Sequence, residues 1–280
     1  MQNLILKVKS LIYAALCSIY LFTFGLLHAR HRSFICEILG HFGYFEIQPA
    51  LPVVSAAQVT DFNSSPVCLY EPESAVGNVT LFELAVIGGV LSRLRPKTAF
   101  EFGTFDGRTT LNIAGSGDCD VYTLDLPCDQ LGSVALKIER SDQTFIKKAV
   151  SGVRFHNRPQ ERRITQLYGD SAAFNFDKYL GDIDFVFVDA SHSYEYVLND
   201  SRKAIQLLRN GRGVILWHDY STWYGVTRAL NELRETDSRF KDLKWIKNTT
   251  LAYLSIGGAE RETAESARLG VSLQSEAFTT

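Results

Sequence analysis

The run Phe185-Val186-Phe187-Val188 offers no polar face. A strand apolar on both sides must be covered on both, which is the condition of a parallel sheet sandwiched between helices. Other apolar runs recur along the chain, and the pattern predicts strands at 98–102, 121–126, 164–168, 183–189 and 214–218. Segments at 80–94, 109–114, within 133–150, 194–208 and 225–235 read as the intervening helices. Thr80 and Glu83, three apart before an apolar run, form a capping-box signature for the first of them. Two short apolar runs at 243–247 and 251–256, separated by Asn248-Thr249-Thr250, read as a hairpin. The expected architecture is α/β: a doubly wound, mostly parallel seven-stranded sheet with an antiparallel C-terminal hairpin at its edge.

The rest of the 280 residues surround that core. Residues 1–32 contain an uncharged stretch, 10–27, flanked by Lys7, Lys9, Arg30 and Arg32. It is apolar all round and just long enough to cross a bilayer, so membrane association through 10–27 is expected, with a docked apolar helix as the alternative. Residues 33–79 show turn signals and no sustained period, and read as a connector that covers the site. The main domain is expected at 80–256. The polar tail 257–280 is expected to be disordered. A net charge of −2, with basic residues scattered, excludes a nucleic-acid partner. The five cysteines show no CxxC pairing and are expected to be reduced and mostly buried. The sequons at Asn78 and Asn248 fall at a helix start and a turn, and read as chance matches.

In an open α/β sheet ligands bind beyond the carboxyl ends of the strands, where the winding reverses. Those ends carry Glu101-Phe102-Gly103-Thr104-Phe105-Asp106-Gly107, then Asp125, then Gly169-Asp170-Ser171, then Asp189-Ala190-Ser191-His192, then His218-Asp219-Tyr220. Gly103 and Gly107 permit a tight turn close to a ligand at a helix N-terminus. Asp125 stands where it can accept from both hydroxyls of a ribose. A nicotinamide fingerprint would read GxGxxG, whereas this turn reads Gly-Thr-Phe-Asp-Gly.

The blocks EFGTFDGRTT, YTLDLP, GDSAAF, DFVFVDASHSYEYVLND and GVILWHDY, in that order, resemble class I S-adenosylmethionine-dependent methyltransferases, in particular their small-molecule O-methyltransferase-like branch. The resemblance covers about residues 80–256 and implies a Rossmann-like methyltransferase fold. It further implies that Glu101, Gly103, Thr104 and Gly107 hold the methionine part of the cofactor, with Asp125 on the ribose. Asp170 and Ser171 would lie beside the adenine, and Asp189 would also face the cofactor. Metal-dependent catechol-type relatives place Mg²⁺ at the ends of the fourth and fifth strands, which points to Asp189 and Asp219. This chain departs from them in having His218 immediately before Asp219, and imidazole suits a softer divalent metal.

Catalysis is therefore expected from Asp189, His192 and His218. A neutral histidine acting as general base, a metal site and purely structural histidines all stay open. Tyr194, Trp217, Tyr220 and Trp223 would wall an acceptor pocket, with core packing the alternative. Lys137, Arg140, Lys147, Lys148, Arg154, Arg158, Arg162 and Arg163, in the insertion between the second and third strands, would either recognise an anionic acceptor or form a solvated face. The expected activity is methyl transfer from S-adenosylmethionine to a hydroxyl of a small-molecule, sugar or lipid-linked acceptor. The alternatives are a metal-dependent hydroxylase-like relative and a membrane-tethered nucleoside-binding module. Because the cofactor is made in the cytosol, the catalytic domain is expected there.

Overall fold

The computed structural model describes residues 2–28, 31–32, 35, 48–62, 66–73, 75–139 and 141–257. The chain divides into two compact units, 1–48 and 49–280. Cys36, Arg140 and the tail beyond 257 lie outside the described residues, so the expectations placed on them do too.

In the first unit, helix α1 (Gln2–Phe22) is followed by a single 3-10 turn, Phe24–Leu27. Leu11, Ile12, Tyr13, Leu16 and Ile19 are exposed, and at 100° per residue they spread over an arc of about 200°. Regular α-helix stops at Phe22, short of the end of the uncharged run. Among the described residues no helix is long and apolar enough to cross a membrane. The expected span at 10–27 is therefore not supported.

The second unit is built on one eight-stranded sheet. Its strands are β1 (Val53–Val54), β2 (Thr98–Phe102), β3 (Asp120–Asp125), β4 (Ile164–Tyr168), β5 (Phe185–Val188), β6 (Gly213–Trp217), β7 (Lys244–Ile246) and β8 (Ala252–Ile256). They lie in the order β1-β7-β8-β6-β5-β2-β3-β4. Only β8 is antiparallel to its neighbours. Two details differ from the expectation. The hairpin forms, but β8 inserts beside β6 and so lies within the sheet. The edge is taken by β1, an eighth strand from the connector, which pairs Val53 with Trp245 and Val54 with Ile246. A two-residue strand has no period to read, and its identity depends on its partner.

Period-two alternation divides the sheet into two faces. Phe100, Phe102, Val186, Val188, Ile215 and Trp217 pack with the apolar stripes of α6 (Tyr194–Leu207) and α7 (Tyr224–Thr236). Ala99, Val121, Phe185, Phe187, Val214 and Leu216 pack on the opposite face with α3 (Leu81–Leu94) and α4 (Arg108–Gly115). A four-residue helix, α2 (Ala56–Val59), follows β1. Among its described residues the insertion forms one short α-helix, α5 (Gln143–Ile146), and Asp142 at its N-cap directs its carboxylate elsewhere and caps no helix amide. The capping box forms as read: the Thr80 hydroxyl accepts from the Glu83 amide at 3.2 Å, and the Glu83 carboxylate accepts from the Thr80 amide at 2.8 Å.

The chain runs from β2 outward to β4 and then returns to β5 on the other side of β2, so the winding reverses between β2 and β5. Residues just past the strand ends continue the ladder. Gly103 donates to Leu124, Asp189 to Phe102, Gly169 to Asp125 and His218 to Val188, at 2.8–3.1 Å. That lines up Gly103, Asp125, Gly169, Asp189 and His218 along one rim.

Of the described cysteines only Cys119 is buried, Cys68 and Cys128 being exposed, so the expected burial is corrected. These two sit in the connector and the insertion, outside the apolar periods. Burial pushes the Cys119 thiol up to about 12.

Candidate active site

A cavity of about 320 Å³ opens on that rim. Gly103, Asp125, Asp170, Ser171, Asp189, His192, His218 and Asp219 all line it. Gly103 is at φ +90°, and a Cβ there would lie 2.0 Å from the Asp189 carbonyl oxygen, so only glycine lets β2 and β5 approach at the reversal. Gly107, at φ +83°, starts α4, and a Cβ on it would strike Phe155 and Gly152 of the insertion. Thr104, Gly107 and Glu101 stand behind the wall and do not line the cavity.

Glu101 is 1% exposed. Alternation along β2 puts it on the face of Ala99, beneath α4. There its carboxylate accepts from the hydroxyls of Thr110 and Thr123, the latter at 2.6 Å. Burial, reinforced by Asp189 and Asp125 and only partly offset by the two threonines, raises its carboxyl pKa to about 8.

His192, which lines the cavity, lies between two carboxylates. Its Nδ1 is 2.5 Å from Asp142 and its Nε2 is 2.9 Å from Asp219. Its ring stacks on Trp223 at 4.0 Å. Burial depresses the imidazole pKa, but hydrogen bonds and charge from Asp142 and Asp219 outweigh this and push it up to about 10. His218 Nδ1 lies 3.2 Å from Asp189 and 3.1 Å from Asp219, with Nε2 3.5 Å from Glu83. Burial lowers its pKa as well, yet Asp219 and Asp189 hold it well above the ordinary value. Held this way, both imidazoles are biased toward the protonated form. Glu83 is buried, which alone would raise its pKa, but His218, Thr250 and Thr80 lower it to about 2.

Asp189, His218 and Asp219 each present a ligand atom, all within 4.8 Å of one another. Two carboxylate oxygens and an imidazole nitrogen suit a divalent cation. Glu83 on the far nitrogen of His218 is the kind of partner that orients a metal-ligating histidine. The donor set therefore fits a metal.

Several contacts were not legible from the sequence. Asp142, Lys148 and Ser151 of the insertion all reach the site, with Lys148 Nζ 2.7 Å from Asp125 and the Ser151 hydroxyl also donating to Asp125. Tyr196 lines the cavity and donates to Asp170 at 2.8 Å. Of the four aromatic residues expected at an acceptor pocket, Trp223 lines the cavity. Trp217 and Tyr220 are wholly buried, donating to Ser201 at 2.9 Å and to Asn231 at 2.7 Å respectively. The Tyr194 hydroxyl donates to Glu232 at 2.7 Å. Arg154, Arg158 and Arg163 pair with Asp106, Glu71 and Asp118, so these cations are neutralised within the chain. Arg108, fully buried, donates to the carbonyls of Glu71, Pro72 and Val79 at 2.6–2.9 Å. It thereby fixes the connector whose Val76, Gly77 and Asn78 close the cavity.

The family profile described as a methyltransferase domain (Methyltransf_24) matches residues 100–220, the stretch that carries this rim. Over residues 100–220 the chain is similar to this methyltransferase family. Among solved structures, it is similar to the O-methyltransferase TomG from Streptomyces achromogenes, involved in tomaymycin synthesis and solved with SAM. There the identity is 16%, with 64% of this chain and 82% of that one covered and a TM-score of 0.42. The SAH-bound methyltransferase PaMTH1 from Podospora anserina gives 14% identity, 63% and 79% coverage and a TM-score of 0.45. The O-methyltransferase from Bacillus cereus in complex with SAH gives 13% identity, 65% and 84% coverage and a TM-score of 0.42. No curated protein matches the chain.

The buried Glu101 beneath this rim has a measurable signature. Its folded pKa, about 8, lies above the ordinary 4.5. The folded state thus binds the proton more tightly, and stability from this group is fully present below pH about 4.5 and lost as pH rises through about 8. Urea denaturation from pH 5 to 9 should show stability falling over this range, and Glu101→Gln should flatten the fall. An unchanged pH dependence in the variant would disprove the assignment.

Proposed function

We infer that this domain transfers a methyl group from S-adenosylmethionine to a hydroxyl of a small-molecule, sugar or lipid-linked acceptor. The observation that carries this reading is the convergence of Gly103, Asp125, Asp170, Ser171, Asp189 and His218 on one cavity at the winding reversal. In this reading the turn at Gly103 holds the methionine part. Asp125 accepts from the ribose hydroxyls, and Asp170 and Ser171 flank the adenine. Glu101, Thr104 and Gly107 shape that turn from behind.

The acceptor hydroxyl faces Asp189, His192, His218 and Asp219. As the carbon–sulfur bond breaks and the carbon–oxygen bond forms, the sulfonium becomes a neutral thioether and the hydroxyl proton leaves toward the carboxylates. The two imidazolium groups stabilise negative charge growing on that oxygen. Alternatively, with the His218 proton displaced, Asp189, His218 and Asp219 would hold Mg²⁺ or another divalent metal, which would lower the pKa of the hydroxyl. Apolar α1 associates with a lipid surface rather than spanning it, with the catalytic domain in the cytosol where the cofactor is made.

Titration calorimetry should detect S-adenosylmethionine binding, and Asp125→Ala should weaken it by about 1–3 kcal/mol through lost hydrogen bonds. No heat at millimolar ligand would sink the reading. Mn²⁺ added to the protein should give a bound signal by electron paramagnetic resonance that Asp219→Ala abolishes; equal signals in the two proteins would remove the metal from the site. Membrane fractionation of cells expressing the chain with and without residues 1–32 tests the lipid contact, and identical distributions would rule it out.

A further inference from the structure

Asp125 already has partners. Lys148 Nζ lies 2.7 Å from Oδ2, and the Ser151 hydroxyl donates to the same oxygen. The pair is well shielded, the Lys148 and Asp125 side chains being 14% and 9% exposed. Lys148 lines the same cavity as Asp125, with Phe145 and Ile146 of its segment beside it. A vicinal diol bound by a carboxylate draws on both oxygens, and here one is taken by two donors. The ammonium would also meet a sulfonium ligand that is itself cationic, so nothing in its charge favours keeping it there once the cofactor enters.

The segment that carries these donors is hydrogen-bonded to the rest of the site at its two ends, and between them Phe145 packs edge-on against Phe105 and His192. At one end Asp142 accepts from the Ser191 hydroxyl at 2.7 Å and the His192 amide at 3.0 Å. At the other, the Gly152 and Arg154 amides donate to Phe105 and Asp106 of the glycine turn at 2.9 Å. Gly152, directly after Ser151, sits at φ +72°, a conformation that favours glycine.

Resting on the cofactor reading above, we propose that Lys148 is an internal competitor for the ribose subsite. Cofactor binding then requires segment 142–151 to release Asp125, and Lys148 sets the affinity although it makes no favourable contact with the ligand.

Calorimetric titration with S-adenosylhomocysteine tests this without any acceptor. If the released form is about a tenth of the population, Lys148→Met should bind about tenfold tighter than the unmodified chain. Ser151→Ala should shift affinity in the same direction by less. Lys147→Met removes the same charge from an exposed neighbour and should leave affinity unchanged. Hydrogen exchange on the unmodified protein gives a second readout that does not depend on the variants folding: amides of 142–151 should exchange faster when the ligand is bound. Equal or weaker binding by Lys148→Met, or slower exchange in 142–151 on binding, overturns the proposal. If the unmodified chain binds and Asp125→Ala weakens it while Lys148→Met does not tighten it, only the competitor role fails. If no protein in the series binds, the cofactor reading fails as well.

Discussion

Four carboxylates, Glu83, Asp142, Asp189 and Asp219, meet two imidazoles, His192 and His218, in space largely closed to water. Charges in such surroundings cost several kcal/mol each unless partnered, so none of the six can be placed independently of the rest. Glu83 belongs to the first turn of α3 and Asp142 precedes α5. Asp189 follows β5, while His218 and Asp219 follow β6. The Glu83 carboxylate also receives the Thr250 amide at 2.6 Å, which brings in the loop between β7 and β8. The carboxyl end of the sheet is thus held by one electrostatic balance that crosses five elements.

This balance explains why the histidines differ from what their position alone suggests. A solvated imidazole at a strand end titrates near neutrality. Here both ring nitrogens of each face carboxylates, and the ion pairs outweigh the desolvation that would favour the neutral form. The same carboxylates that hold the two rings thus shift both toward the protonated form.

Much of this was legible in the sequence where the signal is local. Apolar runs gave the central strands nearly to the residue, since burial on both faces leaves few alternatives. The capping box and the glycine turn depend on neighbours within a few residues, and both were found. Glu101 shows how a correct position can mislead: it ends a strand at the site, yet its parity with Ala99 sends the side chain under α4, and that parity was available beforehand. Glu83 carried a complete local explanation as a cap, which hid its contact with His218. Asp142, Lys148 and Ser151 had no readable signal, because their partners lie between 23 and 50 residues away and no period fixes the insertion between.

Arg108 is the first residue of the helix that follows the glycine turn, and it holds the connector by three main-chain carbonyls, using none of that segment's side chains. A carbonyl is the same whatever residue bears it. This attachment therefore places little restriction on the residues that bear those carbonyls, and an exposed residue such as Val76 can be exchanged while the segment keeps its path over the cavity. The fold separates the means of fastening the roof from the surface that the roof presents to a bound molecule, so one can diversify while the other stays fixed.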